Sequence, residues 1–180
     1  MTAPAITAPY LAEVVLLGTA GLAKIARPDT TVRALHVARI PASRNAVRAG
    51  AACELAVALA ALALPGAMTG AIVALSYAAF TVFVAGALRR RWPLSSCGCF
   101  GKPDSPPTIT HAALNAGAVL CGVWWSASGP RSLASVFSGQ PWQGVPLALV
   151  TVVVILLAYV VWTNPLPTAR RLVRDGWSGQ

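Results

Sequence analysis

The stretch MTGAIVALSYAAFTVFVAGAL, Met68–Leu88, contains no charged residue. At about 1.5 Å of rise per residue, a helix of this length crosses the ~30 Å hydrocarbon core of a bilayer. The chain repeats the theme on both sides of it. Ile6–Ala26, Ala46–Pro65, Ile109–Ala127 and Val145–Thr163 all approach the length of a span. Ala46–Pro65 is the weakest of them, because Arg48 and Pro65 shorten it, and a tilted or re-entrant course also fits it. The expectation is an all-α, polytopic transmembrane helical bundle with no separate soluble domain. It comprises a four-helix core over residues 6–127, a fifth C-terminal span over 145–163 and a basic tail over 164–180.

Composition points the same way. Hydrophobic residues make up 56% of the 180 residues and charged ones 11%, with a mean hydropathy of +0.65. A soluble domain is about a quarter charged. So apolar a chain has too few polar groups to cover a surface in water, and the lipid bilayer is its expected partner. The net charge of +9 would suggest nucleic acid in a soluble protein. Here no basic stripe interleaves with aromatic residues, so nucleic-acid binding is not expected. The charges lie between the apolar stretches, where they read as topology signals and contacts to anionic lipid.

With five spans, every Lys and Arg except Arg131 falls on one face of the membrane. The positive-inside rule then places the N-terminus outside and both basic connections, Arg27–Arg48 and Arg89–Thr108, in the cytoplasm with the tail. The expected location is the plasma membrane. Met1 to Ala8 lack the basic region of a cleavable signal, so the first span is expected to remain as an anchor. Arg27–Arg48, with Pro28 and Pro41, reads as a long basic loop, and Ser128–Gly144 as a Ser/Gly-rich one. Pro65–Gly70 is a tight, uncharged turn, which makes the second and third spans antiparallel neighbours. Trp124, Trp125, Trp142 and Trp162 suit interfacial belts.

The most informative connection contains Ser96-Cys97-Gly98-Cys99-Phe100-Gly101. A disulfide wants Cα atoms about 4.4–6.8 Å apart, and an extended i, i+2 pair sits at or beyond that limit. Gly98 and Gly101 supply the backbone freedom for a sharper turn. A strained ring is easily reduced, which suits a reactive pair better than a staple. Arg89, Arg90, Arg91 and Lys102 favour the thiolate. Two other readings stand beside the redox dithiol. The pair could ligate Cu(I) or Zn(II), with His111 as the nearest extra ligand, or the cysteines could be incidental.

Glu54 lies inside the second span, where a carboxylate marks a function or an interior partner. Lys24, near the end of the first helix, is its candidate partner; a headgroup-facing Glu54 is the alternative. The Gly50/Glu54/Ala58/Ala61 face is otherwise small and admits a close helix. Gly18, Gly21 and Lys24 place small residues at helix-contact spacing. His111 and Asn115 stand at i, i+4 where the fourth span begins, after Pro106-Pro107-Thr108. His111 could shuttle a proton for the cysteines, hydrogen-bond a quinone oxygen or face the headgroups. No quinone motif is present. Glu13 reads as interfacial, and Cys53 and Cys121 as small packing residues.

Together these features resemble the MauE family of methylamine-utilisation membrane proteins, within the wider DoxX-like group. The matching residues are Gly21-Leu22-Ala23-Lys24, the basic loop after them, Glu54-Leu55, Ser96-Cys97-Gly98-Cys99-Phe100-Gly101, and His111 with Asn115. They cover about Pro9–Trp125. The resemblance implies a four-helix bundle and a role in disulfide formation and maturation of the methylamine dehydrogenase small subunit. It also implies a thioredoxin-like partner. The proposed residues are Cys97 and Cys99 for thiol chemistry and Glu54 and His111 for protons. The fifth span and the basic tail depart from the family's four-helix pattern.

Overall fold

The computed structural model describes residues 3–94, 106–128 and 132–163. Cys97, Cys99 and the basic tail lie outside the described residues. Within them the fold is all-α, with seven helices: α1 (Ala3–Ala26), α2 (Pro28–Val37), α3 (Arg44–Ala63), α4 (Ala67–Arg89), α5 (Ile109–Ser128), α6 (Leu133–Ser138) and α7 (Val145–Thr163). A single 3-10 turn, Pro141–Gly144, leads into α7.

The helix α4 contains the uncharged stretch Met68–Leu88. It is one of three described helices long and apolar enough to cross a membrane, with α1 over Ile6–Ala26 and α3. The weakest of the expected spans is thus a full helix. It begins at Arg44 rather than Ala46, because the Ser43 hydroxyl caps it by accepting the Ala46 N–H at 3.1 Å. Arg48 does not interrupt it, since its Nε donates to the Ile25 carbonyl of α1 at 3.3 Å.

The five expected spans are not all matched on that measure. The α5 helix has the expected bounds but is not among the three. His111 and Asn115 lower its hydropathy, and both are 1% exposed, turned into the bundle instead of toward lipid. The last helix is apolar over Val145–Val161, a shorter stretch.

Both expected long loops contain helices. Pro28 opens α2 at a position where its missing N–H has no helical partner to lose. Asp29 in the first turn and His36 in the last complement the helix dipole. Ala34 is buried with Ala87 and Leu94. The end of α2 is closed by two bonds, Arg39 N–H to the His36 carbonyl and Ile40 N–H to the Leu35 carbonyl, each 2.9 Å. Arg91 and Trp92 close α4 in the same way, on Leu88 at 3.3 Å and Ala87 at 3.0 Å. Arg39 (φ 60) and Arg91 (φ 49) hold the left-handed position that glycine usually fills in this motif. Within Ser128–Gly144, α6 starts on a Ser132 cap.

The bundle is assembled from two tight pairs. One is α1 with α3 and the other is α4 with α5; α7 lies along α1. Although a short turn joins α3 to α4, they touch only sparingly. Each has its small-residue face turned to its other partner, so sequence neighbours are not packing neighbours here. Tyr10, Val14, Leu17, Ala58, Val73 and Trp125 meet in the core. Tyr10 stacks on Trp125 with ring centroids 4.2 Å apart and planes 6° apart. Trp125 is therefore a core residue and not a belt residue, whereas Trp124 and Trp142 are exposed.

Candidate functional site

The site begins with a close approach of two backbones. A Cβ at Gly21 would lie 2.8 Å from the Ala51 carbonyl oxygen and 3.1 Å from the Leu55 nitrogen. Only glycine fits α1 that close to α3. One turn further along α1, that proximity delivers Lys24 to Glu54. Lys24 Nζ donates to both Glu54 carboxylate oxygens at 2.7 Å each. The side chains are 7% and 17% exposed. Either charge alone would be costly inside an apolar bundle, and the pair satisfies both. The headgroup-facing alternative for Glu54 is therefore set aside. The Phe80 ring of α4 lies under the ammonium, its centroid 4.5 Å from Nζ.

Between α1, α2, α3 and α4 the structure leaves a cavity of about 370 Å³. Lys24 and Glu54 form its charged wall, while Leu35, Val47, Phe80 and Phe83 supply apolar walls. The lining comes from α1, α2, α3 and α4, together with Ala42 between α2 and α3. Gly50 faces it, and a Cβ built there meets nothing within 4 Å. The expectation of a close helix over Glu54 thus holds for Ala58 and Ala61, which are buried, while Gly50 opens on space.

His111 belongs to a different part of the site and is not in that lining. Thr108 and His111 cap the start of α5 reciprocally. The Thr108 N–H donates to His111 Nδ1 at 3.1 Å, and the His111 N–H donates to Thr108 Oγ1 at 3.4 Å. Thr108 Oγ1 also lies 2.7 Å from Nδ1. Because Nδ1 accepts a backbone proton, the neutral ring carries its own proton on Nε2. At 1% exposure, the ring does not face headgroups. Asn115 shares the buried face, and its Nδ2 has no hydrogen-bond partner among the described residues.

Glu13 turns a carboxylate oxygen into the bundle. Its carboxyl lies beside the Cys121 thiol of α5, and its Oε2 is buried without a hydrogen-bond partner among the described residues. Beside it, the Tyr77 hydroxyl donates to the Glu13 carbonyl at 2.7 Å. The sequence held no signal for this contact, since neither residue has a fixed spacing to the other. Cys53 and Cys121 are free thiols; Cys53 is exposed, so its expected packing role does not hold. Among the described residues, no three His, Cys, Asp or Glu side chains cluster as metal ligands.

No curated protein and no solved structure matches the chain. The family model of methylamine utilisation protein MauE matches residues 1–128. That span takes in Lys24 on α1, Glu54 on α3, the Cys-Gly-Cys stretch, and His111 and Asn115 on α5; it stops short of α6 and α7. Helices α1 to α5, the ion pair and the buried α5 face all fall inside a match that covers most of the chain, and the chain belongs to the MauE family.

Proposed function

We propose that this protein is a multi-pass membrane thiol–disulfide redox component that serves maturation of a partner protein. Membership of its family implies a role in methylamine utilisation. The observation that carries the redox reading is that the match spans the Cys97-Gly98-Cys99 stretch. In the proposed exchange, a thiolate of the partner attacks the Cys97–Cys99 disulfide and forms a mixed disulfide, releasing one cysteine thiolate. A second partner thiolate then attacks the mixed disulfide. The partner leaves oxidised and this chain holds the dithiol, so two electrons have changed hands and no atom is lost. A thioredoxin-like protein fits the partner role. Glu54 and His111 are the proposed proton-handling groups. Supporting this, α4 ends and α5 begins at the same end of the bundle as Lys24 and Arg89–Arg91. A cationic surrounding favours thiolate over thiol.

Non-reducing gels after acid quench test the reading, with Cys97→Ser, Cys99→Ser and the double variant compared. A single cysteine left in the chain cannot regain the internal disulfide and is held in a mixed disulfide with the partner, so a single variant traps an adduct, and loss of both abolishes it. A pair that stays reduced under oxidising conditions, with no adduct from either single variant, overturns the redox reading. A membrane-impermeant thiol reagent, applied to intact cells carrying Cys53→Ala and Cys121→Ala, tests the proposed cytoplasmic placement of Cys97 and Cys99. Labelling without permeabilisation reverses that orientation.

A further inference from the structure

The geometry points to the α1–α4 cavity as a binding site for a lipid-soluble ring bearing carbonyl oxygens, the quinone class. Size comes first. About 370 Å³ lies within the range of small-molecule pockets and admits a single ring with a short tail. Away from Lys24 and Glu54 the walls are mostly apolar, and Phe80 and Phe83 present two aromatic side chains from α4, suited to the face of a flat molecule.

A lysine ammonium has three N–H donors. Glu54 takes two of the Lys24 protons, one on each oxygen. The Phe80 ring face lies on the ammonium at 4.5 Å. A carbonyl oxygen is a stronger acceptor than a ring face, so a ring carbonyl in the cavity completes the ammonium's set. A positive ligand would meet Lys24, and a carboxylate would have to displace Glu54. A neutral carbonyl does neither.

Three of the four helices that line the cavity, α1, α3 and α4, are of membrane-crossing length and apolarity. A lipid-soluble ligand therefore suits it better than a water-borne one. The choice of a quinone among apolar carbonyl compounds rests on the redox reading above, which needs a lipid-soluble carrier of two electrons and two protons. The binding site itself does not involve the cysteines.

The test uses the full-length protein purified in detergent and titrated with decylubiquinone. Tryptophan fluorescence is the readout, because Trp92 packs on Phe83 of the cavity wall with centroids 6.0 Å apart. The blocking variant is Gly50→Leu, which fills the cavity where the backbone has open space and leaves the ion pair in place. Saturable quenching in the wild type and at least about a tenfold loss of affinity in Gly50→Leu is the expected result. The paired neutral variant, Lys24→Gln with Glu54→Gln, weakens binding in the same direction. Equal affinity of wild type and Gly50→Leu overturns the site. So does equal competition by 1-decanol, which has a chain and no ring. Repeating the titration in Cys97→Ser/Cys99→Ser separates the two proposals: binding there is unchanged, whatever becomes of the thiol chemistry.

Discussion

A Cβ at Gly21 would come within 2.8 Å of the Ala51 carbonyl across the α1–α3 seam. At Gly122 it would come within 3.0 Å of the Ala74 nitrogen across the α4–α5 seam. The two seams thus use the same device, a glycine that lets backbones touch. They differ in what the closeness carries. Between α1 and α3 it positions a buried Lys–Glu pair beside a cavity. Between α4 and α5 it packs Gly70 against Trp125 and joins Ser126 Oγ to the Ala67 carbonyl at 2.7 Å, with no charge involved. Lipid tails are as apolar as leucine, so packing and hydrogen bonds hold helices together in a membrane. The α4–α5 seam shows that glycine contact suffices. The ion pair in the other seam therefore calls for a further reason, and the neighbouring cavity supplies it.

The sharpest way to break this comparison is to remove one charge. Lys24→Met leaves a buried carboxylate alone, and a loss of about 3–5 kcal/mol is expected. Denaturant unfolding in detergent measures it. Lys24→Met combined with Glu54→Gln recovers most of the loss, because the stranded charge is gone. If Lys24→Met unfolds like the wild type, the pair is not a buried partnership and the seams do not differ. Next in size are Gly21→Ala and Gly122→Ala, each expected to cost about 1–3 kcal/mol by forcing backbones apart. Similar losses in both sharpen the claim of a shared device; a harmless Gly21→Ala breaks it. The smallest effect is a gain. Arg91→Gly relieves a left-handed arginine and raises stability by roughly 1 kcal/mol in the same measurement.

Much of this was legible beforehand, for reasons that differ by residue. Met68–Leu88 announces a span because length and apolarity need no tertiary context. Glu54 and Lys24 could be paired because a buried charge demands an opposite one. The α2 helix escaped notice because it is short and mostly polar, and its place is set by Ala34 against Ala87 and Leu94. Trp125 was expected in an interfacial belt and is buried instead. Its burial depends on which helices surround α5, and residue type says nothing of that. The sparing contact of α3 with α4 was also hidden, since a tight turn fixes chain direction and not packing partners. The cavity was equally invisible.

The two arginines that close α2 and α4 have a consequence for biogenesis. Arg39 and Arg91 sit where glycine would be unstrained, yet each adds a cation at the rim of the bundle. A newly made chain is oriented by such cations before any tertiary packing exists. Glycine at these stops would make tidier helix ends and weaker stop-transfer signals. By that principle, glycine at either stop is expected to trade a gain in helix-end stability for a weaker orienting signal.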